Sequence, residues 1–270
     1  MKLKLNLSFP IILLFLTLSG CVSAPYTDRS QFIMTSEEEE KSLGEEAWKE
    51  VKSTTKPSTD PKYTEPVMRV GRNLAKVVDD KNYDWQFMVV ESEDMNAFCL
   101  PGGKVVVYTG LFQFLSNDAE LAAVMGHEIG HAIARHGGER ITQQYMQQLG
   151  GTALSAVISA SEASPAWASV YGATTNLALI LPYSRTQEYE GDYIGLLLMA
   201  KAGYNPNAAI LFWEKFTKIN DYGPVQEFFA THPMGQKRID EIKALLPEAQ
   251  KVYLQSNPKY GLGQKINTGK

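Results

Sequence analysis

The sequence predicts an α+β fold, mainly helical, with a small β-sheet packed beside one histidine-bearing helix. Three observations predict it. Apolar residues recur at helical spacing through most of the chain, often just after a capping residue. Two runs, YDWQFMVVES and KVVVYTG, are instead β-rich, and Pro101-Gly102-Gly103 supplies a turn between them. The segment HEIGH, His127 to His131, falls inside a helix that Asn117 and Glu120 open with a capping signature.

The elements follow in order. Lys2 and Lys4 precede an apolar run from Pro10 to Leu18 that is too short for a permanent membrane span, and the segment closes on Leu18-Ser19-Gly20-Cys21. Residues 1–20 therefore read as a secretory signal, and the closing four residues resemble a bacterial lipobox. On that reading Cys21 is the mature N-terminus and a lipid anchor, and Val22 after it favours an outer-membrane anchor facing the periplasm. An ordinary cleaved signal, with Cys21 incidental, is the alternative. Residues 21–35 are polar and aperiodic and are expected to form a tether. The folded domain is expected over 36–250, followed by a loosely ordered tail at 251–270.

Ser36 followed by glutamates starts a helix, TTKPSTDPK is a loop, and Glu65 to Val78 is a second helix with Val67, Val70 and Leu74 on one face. After the two strands, the Asn117 helix is expected to end at Gly137-Gly138. Gly150 to Leu181, rich in small residues and interrupted by Glu162 and Pro165, is expected to form small-residue helices or a flap over a cleft. Further helices are expected over Arg185 to Ala202, from Asn205-Pro206 to Lys218, and from Gly235 to Leu246.

Composition excludes some functions. Losing Lys2 and Lys4 with the leader takes the formal charge from −4 to −6, which argues against a nucleic-acid partner. Cys99 is then left without a cysteine partner, so no intramolecular disulfide holds the mature chain. It reads as a small buried apolar residue, or else a redox-sensitive thiol.

The chemistry concentrates in HEIGH. His127 and His131 lie about 40° apart around a helix and one turn apart along it, so both imidazoles reach one ion. Glu128 flanks the same point and is placed to act as a general base toward an attacking water. His136 lies about 180° from His127 and cannot share the metal while the helix is intact; it reads as a helix C-terminal residue. A catalytic Zn²⁺, one per chain, needs a third protein ligand. The best candidate segment is YSRTQEYEGDYIG, in which Glu188 and Asp192 share a helix face, Glu190 points away, and Gly191 permits close packing on the histidine helix.

Together these residues resemble the HtpX-like and CAAX-prenyl-endopeptidase-like zinc metallopeptidases, a gluzincin group with a zincin-like fold. HEIGH matches the group's zinc helix, and Ser184, Arg185, Glu188 and Asp192 match SRxxExxxD. Leu100 to Gly103 matches LPGG, and Thr231, His232, Pro233 and Arg238 match THPxxxxR. The resemblance implies that Glu188 is the third ligand and that Asp192 orients a ligating histidine. It is nearest to periplasmic bacterial lipoproteins of outer-membrane protein quality control. The multispanning branch fits less well, because nothing after residue 20 reads as a membrane span.

The resemblance also gives His232 a role at the metal, with Arg238 supporting it. His232 is expected either to donate to the oxyanion of the tetrahedral intermediate or to block zinc as a fourth ligand in a latent form; a surface histidine before a helix is the alternative. Tyr183 is a weaker oxyanion candidate. Asn96, Ala97 and Phe98 resemble the group's edge strand, which would hold an extended or unfolded polypeptide by strand addition. The expected function is a zinc endopeptidase acting on unfolded or misassembled envelope proteins. A chaperone-like or latent assembly factor with a closed zinc site is the alternative. The sequence assigns no oligomeric state.

Overall fold

The computed structural model describes residues 21–79, 82–158, 183–218 and 228–266, with side chains described only outside 148–158 in that set. The expected leader lies outside these residues, as does most of the small-residue segment. The described elements confirm a mainly helical α+β architecture. In order they are β1 (Cys21–Ser23), β2 (Ser30–Phe32), α1 (Glu37–Thr54), α2 (Pro61–Ala75), β3 (Gln86–Val90), β4 (Ala97–Leu100) and β5 (Lys104–Tyr108). Then follow α3 (Asp118–Ile133), α4 (His136–Ile158), α5 (Arg185–Lys201), α6 (Asn207–Phe216) and α7 (Gln236–Gln255).

The sheet has the order β3-β5-β4, with β3 parallel and β4 antiparallel to β5. β5 is central because Val105, Val106 and Val107 are all buried, one face toward the main core and the other toward Trp48 and Val51 of α1. Among the described strands, β4 has no partner on its outer edge. It lies beside α3, as expected.

α3 runs through the middle of the core, with almost every residue buried, and packs most extensively on α5. The close approach is made by glycines. A Cβ on Gly130 would meet the Gly191 carbonyl oxygen at 2.9 Å, and one on Gly191 would meet His131 Nε2 at 2.9 Å. Burial on this scale is dominated by apolar transfer, on the order of 25 cal/mol per Å².

Four expectations change. Residues 21–35 are not a bare tether: β1 and β2 form an antiparallel hairpin, Ala24 and Ile33 are buried, and Arg29 is ion-paired to Glu139 and Glu190. Ion pairs dispersed along a polar sequence leave no periodicity, which hid this docking. The second helix begins earlier, at Pro61, because Asp60 caps it by accepting from Lys62 N at 2.9 Å and proline at the first helical position forfeits no bond.

α3 stops at Ile133 rather than at Gly137-Gly138. Arg135 takes the left-handed conformation, φ 55°, and its guanidinium grips Glu40 at 2.7 Å and the Thr35 carbonyl at 2.9 Å. Tertiary ion pairing thus offsets a backbone strain that glycine would have avoided. Gly138 serves packing instead: a Cβ there would strike the Glu40 carboxylate.

The last helix passes through Pro247 to Gln255, and part of the expected loose tail is fixed. The Gln264 and Leu262 carbonyls accept from Asp118 N at 3.0 Å and Ala119 N at 3.1 Å, so the tail satisfies donors that the first turn of α3 cannot. Ile266 is buried.

Candidate metal centre

α3 delivers His127, Glu128 and His131, and α5 delivers Glu188 and Asp192. The start of α7 delivers Arg238, and the turn before it His232; all seven are buried. Asn117 caps α3 by accepting from Glu120 N at 3.1 Å, and Ser184 and Gln187 form a capping box on α5. The buried state of His232 excludes the surface-histidine reading.

Ligand atoms of His127, His131, Glu188 and His232 lie within 4.8 Å of one another. The separations are 3.0 Å from His127 Nε2 to His131 Nε2 and 3.3 Å from His127 Nε2 to His232 Nδ1. Glu188 Oε1 is 3.4 Å from His131 Nε2 and 3.0 Å from His232 Nδ1. Ligands about 2.0–2.1 Å from a tetrahedral ion stand about 3.3 Å apart, so this set fits Zn²⁺ in size and in donor type. Glu128 Oε1 is buried with no hydrogen-bond partner among the described residues, 3.5 Å from His232 Nε2, as suits a group whose partner is substrate or water.

The two α3 histidines are held differently. His127 Nδ1 lies 2.9 Å from Asp192 Oδ1, so a proton on Nδ1 leaves Nε2 free for the ion. Arg238 clamps Asp192 through Nε at 2.6 Å and Nη2 at 2.8 Å, and also ion-pairs with Glu188. The resemblance implied that Arg238 supports His232; the guanidinium instead sits on these two carboxylates. Burial and Arg238 act to lower His127, but Asp192 and Glu188 outweigh them and raise it above the usual imidazole value. For Glu188 burial acts upward, yet His232, Arg238 and the hydrogen bonds from His131 and His232 hold it well below the carboxylate range. Burial pushes Glu128 up, against the attraction of His232 and His127, and pushes His131 well down.

His131 is held by a group that the helical angle had set aside. The break at Arg135 carries His136 back, and its Nδ1 lies 2.7 Å from His131 Nδ1 while its Nε2 lies 3.0 Å from Glu190 Oε2. One tautomer assignment serves the whole row: His131 Nδ1–H donates to His136, and His136 Nε2–H donates to Glu190. Glu190 also accepts from Arg29 Nε at 2.8 Å and from Thr27, while Arg29 makes a bidentate pair with Glu139 at 2.8 Å. His136 and Glu190 stay outside the ligand cluster, but His136 is not the helix C-terminal residue expected: it starts α4, and with Glu190 it forms this row. No sequence signal marks them, since the contact exists only once the helix breaks.

A cavity of about 240 Å³ opens from Glu128, His131 and His232 between α1 and β4. Asn96, Ala97 and Phe98 line it, Phe98 only partly buried. Tyr183 stacks on His131 with ring centroids 3.8 Å apart, and burial raises its hydroxyl to about 12, so at neutral pH it is a donor. Burial also pushes the Cys99 thiol up, which disfavours the reactive thiolate. Cys21 is exposed at the start of β1. No described helix is long and apolar enough to cross a membrane.

Comparison with known proteins sharpens the assignment. Residues 61–246 match the model of peptidase family M48. The chain is 35% identical over 231 residues to a mitochondrial metalloendopeptidase OMA1 of Schizosaccharomyces pombe, covering 84% of this chain and 66% of that protein. It is 43% identical over 154 residues to the Arabidopsis thaliana protein of the same name, 57% of this chain and 30% of that one. A beta-barrel assembly-enhancing protease of Escherichia coli is 25% identical over 237 residues, 86% of this chain and 48% of that one. The chain thus spans less than two thirds of the length of these relatives.

These matches correct the expected localisation. The periplasmic, outer-membrane placement rested on the lipobox-like Leu18–Cys21, on Val22 and on the resemblance to bacterial envelope lipoproteins, whereas the relatives of higher identity are mitochondrial enzymes of yeast and plant and the bacterial one is more distant. The broader resemblance stands: ligand set, fold and family match agree that the chain belongs to peptidase family M48, a family of metallopeptidases.

Proposed function

We propose that the chain is a zinc-dependent endopeptidase that hydrolyses internal bonds of extended polypeptides. The observation that carries this reading is the convergence of His127, His131 and Glu188 on one point, with Glu128, whose buried Oε1 has no hydrogen-bond partner among the described residues, lining the cleft beside β4. His127, His131 and Glu188 would hold a zinc ion, which would supply Lewis acidity toward the scissile carbonyl and make an attacking water more acidic. Glu128 takes the proton of the attacking water and returns it to the leaving amine. His232, with Nε2 turned toward Glu128, and the Tyr183 hydroxyl are the donors near the developing oxyanion. The open edge of β4 holds the substrate by backbone pairing, which tolerates many sequences and suits unfolded or misassembled clients.

The expectation that those clients are envelope proteins rested on the corrected localisation and is dropped with it. Membrane attachment through lipid on Cys21 remains a proposal, favoured by its exposure; intact-protein mass spectrometry detects the acyl chains, and an unmodified Cys21 removes the idea.

The test is cleavage of an unfolded protein by the zinc-loaded chain. Glu128→Gln should retain zinc and lose about 10²–10⁴-fold in rate, the usual contribution of a general base. Chelation should abolish activity and zinc restore it. A Glu128→Gln protein that cleaves at the wild-type rate sinks the mechanism.

One observation favours a second reading. His232 Nδ1 stands at tetrahedral spacing from the other ligand atoms, so four protein ligands could close the site and leave a latent or chaperone-like factor. An inactive wild type that becomes active as His232→Ala identifies latency; inactivity of both, with retained zinc, favours the chaperone-like role.

A further inference from the structure

Two arginines line the cleft, and among the described residues only Arg135 has an ion-pair partner. Arg135 is matched by Glu40 and Glu37. Arg140, in α4, is 3% exposed, yet its Nε and Nη1 are buried without a hydrogen-bond partner, and no carboxylate among the described residues lies within ion-pair distance. One turn further along the same helix face, Gln144 Nε2 is likewise buried and unpartnered. Leaving such donors unsatisfied costs free energy.

The position of Arg140 ties it to the reaction centre. Its guanidinium stacks 4.0 Å over the Tyr183 ring, and that ring stacks 3.8 Å on His131. Arg140 is therefore one aromatic ring away from a metal-ligand histidine, in the wall of the same cavity as Glu128. The stacking fixes the plane of the guanidinium and leaves its N–H edge for a ligand.

We infer that Arg140 is a carboxylate-binding subsite of the cleft that selects an acidic group on the polypeptide next to the scissile bond. The inference rests on the peptidase reading for the identity of the ligand as a polypeptide. The carboxylate has two possible sources, an internal Glu or Asp side chain or the C-terminus of the peptide. A charge-assisted pair in this desolvated wall should discriminate against a neutral isostere by about tenfold.

The experiment uses the full zinc-loaded chain and quenched peptides in pairs, Glu against Gln at each position flanking the scissile bond, every pair made with a free and an amidated C-terminus. Binding of the same peptides to the Glu128→Gln protein is measured by fluorescence anisotropy. The expected result is a Glu-over-Gln preference of about tenfold at one position, in kcat/KM and in binding, that falls to unity in Arg140→Gln and is partly kept in Arg140→Lys. A free-over-amidated preference lost in the same variant identifies the C-terminal carboxylate as the source.

Cleavage with neither preference overturns the subsite and leaves the peptidase reading standing. No cleavage, with Glu-over-Gln discrimination kept in binding, does the reverse. Arg140→Gln should melt no lower than wild type, since it removes an unpaired buried charge. A clear fall in melting temperature in both Arg140 variants shows that the guanidinium already has an internal partner, and also overturns the proposal.

Discussion

The two α3 histidines are one turn apart, yet different segments support them, although both braces pass through α5 at Asp192 and Glu190. His127 is braced by Asp192 and Arg238, from α5 and α7, in a compact and fully buried ion-pair clamp. His131 is braced by a longer row through His136 and Glu190 that ends on Arg29 of the N-terminal hairpin, where the guanidinium is 23% exposed. The difference teaches that one metal centre can be fastened both to its own core and to a peripheral segment. The first brace carries two buried charges, Asp192 and Arg238, the latter shared with Glu188. The second passes through a pair of imidazoles and reaches solvent, so it should contribute less and respond more to conditions.

The largest effect should come from Asp192→Ala. It removes the His127 Nδ1 partner and leaves Arg238 buried against Glu188 alone, so zinc affinity should fall about 100-fold and stability by about 3–5 kcal/mol. Competition with a zinc chelator and denaturant unfolding measure the two. Unchanged affinity would remove the clamp from the account.

Gly191→Ala tests the surface shared by both braces. Its methyl group meets His131 Nε2 at 2.9 Å and the His127 ring at 3.0 Å, so α3 and α5 must part. The overpacking should cost about 1–3 kcal/mol and weaken zinc binding; a neutral outcome in thermal melts means the helices separate without disturbing the ligands.

His136→Ala should lower zinc affinity about tenfold, the lower end for a group that orients a ligand. His136→Gln, which can still donate and accept, should recover part of it. If His136→Ala binds zinc like wild type while Asp192→Ala does not, His131 needs no brace and the comparison fails.

Arg29→Met should have the smallest effect, about 1–2 kcal/mol, with faster amide exchange across residues 21–32 as its signature. Its pH dependence follows from Glu139 and Glu190. Burial acts to raise both, but hydrogen bonds from Arg29, with Gln187 for one and with His136 and Thr27 for the other, leave each below the usual carboxylate value. Carboxylates depressed in the folded state contribute stability above their unfolded pKa, about 4.3, and lose it as pH falls through the folded values. The gap between wild type and Arg29→Met should therefore be full at pH 7 and narrow below about pH 4. A gap that widens in acid would show that these pairs do not hold the hairpin.

The legible part of the site was the part written in helical angle. His127, Glu128 and His131 share one face by spacing, and Glu188 with Asp192 share another, so their meeting needed only that α3 and α5 pack through Gly130 and Gly191. Two of the three strands, β3 and β5, were legible for the same kind of reason, because β-branched residues cluster in two short runs; β4, between them in sequence, was indicated only by the resemblance, and the parallel pairing of β3 with β5 not at all. What misled was any feature whose cause lay far along the chain. Gly137-Gly138 looked like a helix stop, but the stop is Arg135, held left-handed by Glu40 nearly a hundred residues earlier. The polar run 21–35 looked like a tether because its anchor is ionic, and the tail looked loose because it is fixed through backbone groups that any sequence has.

The sequence by itself therefore determined the fold class and, through spacing and resemblance, which residues meet at the candidate centre: His127, Glu128, His131 and Glu188. These depend on local periodicity, which three or four residues suffice to set. Tertiary structure alone decided that His136 turns back onto His131, that Arg238 serves Asp192 and Glu188, and that Arg140 lines the cleft with no ion-pair partner among the described residues. Each depends on a side chain meeting, or failing to meet, a group from a distant element, and a buried charge takes its meaning from that neighbour.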